Sequence, residues 1–173
     1  MNISVKKIEK VFGKKVIPFL SVLGVDTASR TGWARITTDP KQIHIDYSFI
    51  DVKTTDKYFK YDEYITVFSS LIRQEDILVI EETYYGRNAQ VFQLLSRLGA
   101  FVYTIAHLKG VKEKSFILAS SARKNLGLQS IAKKEVVQAE FCKKLGLKIE
   151  DNDVVDAIIL ALQPILTTKE KTF

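Results

Sequence analysis

Val22-Leu23-Gly24-Val25-Asp26-Thr27-Ala28-Ser29-Arg30-Thr31-Gly32-Trp33-Ala34 places a carboxylate at the tip of an apolar run, then turns and starts a second one. The run is short and β-branched enough for a central strand, and its Asp falls at the strand end, where ligands bind in open α/β sheets. Asp26 could equally serve the turn by accepting from its amides. Working outward, Ile77-Leu78-Val79-Ile80 repeats the pattern and ends at Glu81, and Asp153-Val154-Val155-Asp156 opens a third apolar segment, Ala157 to Leu162. Carboxylates beside such hydrophobic runs cost free energy to desolvate unless a cation or proton compensates them.

Around these points the coarse order is βββαβαβαα. Strands are expected at 17–26, 32–37, 42–52, 77–81 and 115–120, with helices at 58–73, 88–107, 132–145 and 153–165. Ile43, Ile45 and Tyr47 alternate with His44 and Asp46, a period of two. Tyr61, Ile65, Phe68 and Ile72 instead follow the helical period. Gly146 is placed to end its helix as a C-cap. The helix at 88–107 carries two apolar stripes, so it is either sandwiched in the core or shared with a second copy. The whole is an α/β domain with a mixed central sheet and helices on its faces.

Composition limits the chemistry. The 173 residues include one cysteine, Cys142, and two histidines, His44 and His107. No internal disulfide is possible, and the usual zinc sites are excluded. A metal would be bound by oxygen, which favours Mg²⁺, with Mn²⁺ as a substitute. The lysines before Val16 mimic the start of a signal peptide, but the apolar run leads into Asp26 without a small-residue cleavage site. No apolar stretch reaches the roughly 18 uncharged residues of a membrane span. A reducing, cytoplasmic location is expected.

The formal charge of +6 calls for an anionic partner. Arg123, Lys124, Lys133, Lys134, Lys143, Lys144 and Lys148 concentrate it in one stretch. Lys133 and Lys134, at the start of a helix, oppose its dipole unless they serve a phosphate or are simply solvated. Tyr84 and Arg87 follow Glu81 on a Gly-containing loop; they could engage bases at a distorted junction, or pack beneath the loop. Asp153 and Asp156 share one helical face, although Asp151, Asn152 or Asp153 could instead be a cap. An Asp and a Glu on neighbouring strands with an acidic pair on a packed helix suit two-metal phosphoryl transfer.

In that order and spacing the motifs resemble the RuvC family of Holliday-junction resolvases, within the ribonuclease-H-like superfamily. Gly24-Val25-Asp26 with Thr31-Gly32-Trp33-Ala34 is similar to its first motif, although Thr27-Ala28 stands where Pro-Gly is usual. Ile80-Glu81 with Asn88-Ala89 is similar to the second, and Asp153-Val154-Val155-Asp156-Ala157 to the last. The resemblance covers about residues 20 to 165, leaving 1–19 as a basic N-terminal extension to a nuclease domain at 20–173. It implies a ribonuclease-H-like mixed five-stranded sheet flanked by helices. It also implies a homodimer, formed here through the helix near 88–107, and Mg²⁺-supported paired nicks in four-way DNA junctions with two ions per site.

On this resemblance Asp26, Glu81, Asp153 and Asp156 hold the metals and Lys134 steadies the phosphate. Lys124 lies near a second basic position, and Tyr84 takes the place of an aromatic used at the junction. Two rivals stand beside this reading: a branched-DNA-binding module of the same fold without cleavage, and an actin-like or sugar-kinase-type ATPase fragment.

Overall fold

Six strands form one mixed sheet in the order β1-β5-β4-β3-β6-β7. β3 (Ser21–Asp26), β4 (Thr31–Thr38) and β5 (Gln42–Ile50) form the antiparallel meander, while β6 (Ile77–Glu81) and β7 (Lys114–Ile117) join parallel to β3. The structure, a computed structural model, describes residues 1–28, 30–54, 56–84 and 88–168.

The sixth strand comes from the segment expected to be an extension. β1 (Asn2–Ser4) pairs antiparallel with β5, α1 (Val5–Phe12) follows, and β2 (Lys14–Val16) pairs with β8 (Leu166–Thr168) in a second small sheet. Ser4 caps α1, and Gly13 ends it in the left-handed conformation at φ 65°. Ile8 of α1 is fully buried. The basic start of the chain is therefore laced into the sheet by backbone pairing, which its lysines do not reveal. The expected five-stranded sheet is corrected to six for the same reason.

The two sheet faces carry separate cores. On one, α6 (Asn152–Ala161) lies across β3 and β4, joined by α1, α4 (Ala119–Asn125) and α5 (Lys134–Leu145). On the other, α2 (Lys57–Leu71) and α3 (Ala89–Leu108) cover Leu23, Val25, Leu78 and Ile80. All residues of α6 from Val154 to Ala161 are buried, as expected of a helix enclosed in a core. Gly24 and Gly32 make the approach possible: a Cβ on Gly24 would overlap the carbonyl of Ala157, and one on Gly32 would overlap the backbone of Asp153. Burial of each Val, Leu or Ile side chain contributes about 1.5–3 kcal/mol, so this contact is a large part of what holds the domain together.

Several elements differ from the sequence expectation: the strand expected over 17–26 starts only at Ser21, and the helix expected over 153–165 ends at Ala161. The segment 115–120 is a strand only to Ile117; α4 starts at Ala119 and was not foreseen, because seven residues are too few to show a helical period. α3 buries Leu98 and Ile105 of one expected stripe and Gly99 and Val102 of the other, together with Ala106, and leaves Val91 exposed near its start. By length and composition α3 could cross a bilayer, yet Tyr61 of α2 packs edge-on against its Phe101 at 5.1 Å. Gly146 is the C-cap of α5 at φ 62°, as the sequence implied.

Candidate active site

Asp26, Glu81 and Gly32 lie in one row across the sheet. Asp26 faces Gly32 in the β3–β4 ladder, and the β3–β6 register, Val25 opposite Ile80, brings Glu81 beside Asp26. Alternation turns Asp26 to the side of Gly24, toward α6, where it is fully buried. The turn that follows is fixed from α2: Tyr64 Oη lies 2.5 Å from Thr31 Oγ1, which donates to the carbonyl of Ala28 at 2.9 Å.

α6 supplies the acidic pair. Asp151 is its N-cap, accepting from the amides of Asp153 and Val154 at 3.0 and 3.1 Å, and this leaves Asp153 free of capping. Arg30 holds Asp151 from the other side at 2.6 Å. Asp153 and Asp156 then reach the same cation, the ammonium of Lys134 in the first turn of α5. Its Nζ donates to Asp26 Oδ2 and Asp153 Oδ1, both at 2.7 Å, and stands 3.6 Å from Asp156 Oδ2.

Arg123, which was not singled out from sequence, completes the site. From α4 its Nε donates to Asp156 Oδ1 at 3.0 Å and its Nη2 to Oδ2 at 2.6 Å. Its neighbour Lys124 is exposed. Ala122, Arg123 and Leu126 are buried together, so a buried cation was legible on that face once 119–125 is known to be helical. Gln163 ties α4 to α6 by donating to the carbonyl of Ala122, which steadies the arginine.

Charge is unevenly compensated here. Burial pushes the Asp26 carboxyl well above its usual range, Glu81 adds to the rise by hydrogen bonding and by charge, and Lys134 opposes it. Asp26 Oδ1 is buried and accepts no hydrogen bond among the described residues. For Lys134, burial works to lower the proton affinity, but the carboxylates of Asp26, Asp153 and Asp156 outweigh it and keep the ammonium charged.

The all-oxygen donor set and the orphaned Oδ1 of Asp26 suit a hard divalent cation. As placed, no three carboxylates among the described residues form a ready metal-ligand group. Lys134 stands among Asp26, Asp153 and Asp156, and Arg123 claims both oxygens of Asp156.

The other expected residues fall outside this cluster. Tyr84 is 80% exposed beside a cavity that Asp26, Glu81 and Lys134 also line. Lys133 is the exposed N-cap residue of α5 and makes no side-chain cap. Arg87 lies outside the described residues.

No protein-family model and no curated protein sequence matches this chain. Solved structures do. RuvC from Thermus thermophilus superimposes with a TM-score of 0.67 at 16% identity, covering 83% of this chain and 92% of that one. T. thermophilus RuvC in complex with Holliday junction substrate gives 0.66 at 15% identity, over 83% and 90% of the two chains. The yeast mitochondrial Holliday junction resolvase Ydc2 gives 0.58 at 12% identity, over 89% and 81%. The fold is thus ribonuclease-H-like, a mixed sheet between layers of helices. Within that class its structural neighbours are the RuvC Holliday junction resolvases.

Proposed function

We propose that this protein is a Mg²⁺-dependent, structure-selective DNA endonuclease that resolves four-way junctions by paired nicks. The observation that carries the reading is the convergence of Asp26, Glu81, Asp153 and Asp156 at one end of the sheet, in a fold shared with junction resolvases. A divalent cation bound there would activate water and stabilise the leaving 3′ oxygen. Asp26, Glu81 and Asp153 would hold it. Asp156, whose two oxygens Arg123 engages, would join them through a remaining lone pair.

The remaining residues act on the DNA and on one another. Lys134 is the only cation that bridges strand and helix carboxylates among the described residues, and it keeps them together against their mutual repulsion. Moved aside by a metal, its ammonium would be released toward the phosphate at the mouth of the site. Tyr84, exposed at the same mouth, is placed to stack on a base at the branch point. Lys124 and Lys133 add positive charge along the approach. A homodimer through α3 would set two such sites against the two strands to be cut.

One feature favours a second reading, a module that binds branched DNA without cutting: Lys134 and Arg123 already neutralise much of the acidic set. Labelled four-way, Y-shaped and linear duplex DNA, incubated with Mg²⁺ and with chelator, separates the two. Symmetric nicks in the four-way junction only with metal are expected. Tight junction binding without cleavage in Mg²⁺ or Mn²⁺ would leave the binding module.

A further inference from the structure

The row that holds Glu81 and Asp26 continues past Gly32 to Phe49 of β5. Residues directly opposite in antiparallel ladders share a face, so Asp26, Gly32 and Phe49 all point toward α6. The first turn of α6 sits on Gly32 and divides the row in two. The acidic site lies on one side. On the other is a cavity of about 370 Å³, lined in part by Arg30, Tyr47, Phe49, Lys148 and Asp151.

Phe49 and Tyr47 are 43% and 37% exposed, side by side on a sheet face where Ile43 and Ile45 are sealed in the core. Arg30 lies over the Phe49 ring, with its guanidinium carbon 3.5 Å from the centroid. The same guanidinium neutralises Asp151, while its Nε is buried and donates to nothing among the described residues. Arginine planes and aromatic rings are the surfaces on which unstacked bases are held. Glu150 also lines the cavity and disfavours a phosphate inside it, which leaves the base as the part that enters, with Lys148 available to the backbone.

We infer that the Arg30–Phe49 stack with Tyr47 is a base-binding subsite, which takes an unpaired base of the DNA strand held in the acidic site. This rests on the nuclease reading above. Phe49 is two strand spacings from Asp26, roughly 10 Å, which spans no more than about three base steps even at the 3.4 Å rise of a stacked strand. The base is therefore a near neighbour of the scissile phosphate, on the side of α6 away from Tyr84.

The test uses the full chain in chelator, so that nothing is cut, with four-way junctions carrying 2-aminopurine singly at each of the first few positions from the branch. Apart from any position quenched through Tyr84, which Tyr84→Ala identifies, one further position is expected to be quenched on binding. Phe49→Leu, which keeps an apolar side chain of similar size, should abolish that quench and weaken junction binding roughly 5- to 150-fold, the range for one lost stack. Tyr47→Ala should weaken it less. Unchanged melting of Phe49→Leu separates lost stacking from lost folding; should it melt early, Phe49→Tyr must restore both melting and quench. Tight binding by the wild type with the same quench in Phe49→Leu overturns the subsite and leaves the nuclease reading intact. No binding of any DNA by the wild type overturns both.

Discussion

Arg123 grips both carboxylate oxygens of Asp156, one through Nε at 3.0 Å and one through Nη2 at 2.6 Å, within an almost closed core. A carboxylate buried in an apolar helix must be paired, and a two-pronged guanidinium supplies charge and geometry at once. Asp156 is thus a structural anchor between α4 and α6 as well as a member of the acidic cluster.

Removing that partner should be costly. Arg123→Ala leaves the buried Asp156 with only the ammonium of Lys134, 3.6 Å away, a loss of up to about 3–5 kcal/mol, which for a chain of this size lowers the melting temperature by up to roughly 6–20 °C. Arg123→Lys keeps the charge without the fork and should lose less. Thermal melting of the two variants checks this; equal melting of Arg123→Ala and wild type would show that Asp156 is not anchored by the arginine.

Asp26 should behave in the opposite sense. Its native carboxyl holds a proton more tightly than in the unfolded chain, so its contribution to stability is complete below the unfolded value and is lost as pH rises through the raised native one. Asp26→Asn removes this cost and should raise the melting temperature at pH 8 by a few degrees while abolishing cleavage. Mg²⁺ should stabilise the wild type by mass action and the variant much less. Melting with and without Mg²⁺ measures both effects.

Asp76 carries the reverse dependence. Burial alone would raise its carboxyl, but hydrogen bonds from Arg35, the Arg73 amide and Ser21 outweigh this and hold it below the usual range. Its stabilisation is present above the unfolded value of about 4 and is lost as pH falls through the lower native value. Asp76→Asn should melt below wild type at pH 7, and the gap should narrow in acid.

Gly32→Ala tests the seating of α6. The added methyl meets the backbone of Asp153 rather than a side chain that could turn away. Overpacking of this kind costs about 1–3 kcal/mol. Because Asp153 is the group displaced, cleavage should fall further than the melting temperature suggests. Gly32→Ala with wild-type kinetics would show that the first turn of α6 need not be held on the sheet.

Tyr84→Ala should separate binding from stability. The side chain is largely exposed, and surface changes of this kind usually stay within about 0.5 kcal/mol. Melting should not move, whereas affinity for a four-way junction should fall roughly tenfold or more through the lost stack. Equal junction affinity would remove Tyr84 from the DNA surface.

Much of the arrangement was legible in the chain because it is local. The apolar runs ending in Asp26 and Glu81 announce central strands with carboxylates at their ends, and the three-residue spacing of Asp153 and Asp156 puts both on one helical face whatever surrounds them. Periodicity also placed α2, α3, α5 and α6 to within a few residues. What depends on distant pairing could not be read in this way. β1 is three residues long and becomes a strand only because β5 offers a free edge. Arg123 looks like any residue of a basic stretch until α4 turns it inward, and Lys134 shows no sign in sequence that its ammonium, 108 positions from Asp26, settles between strand and helix carboxylates. Strand ends and helix faces follow from backbone periods, whereas the choice of which cation meets which buried carboxylate is made by packing, where an unpaired charge is too costly to leave.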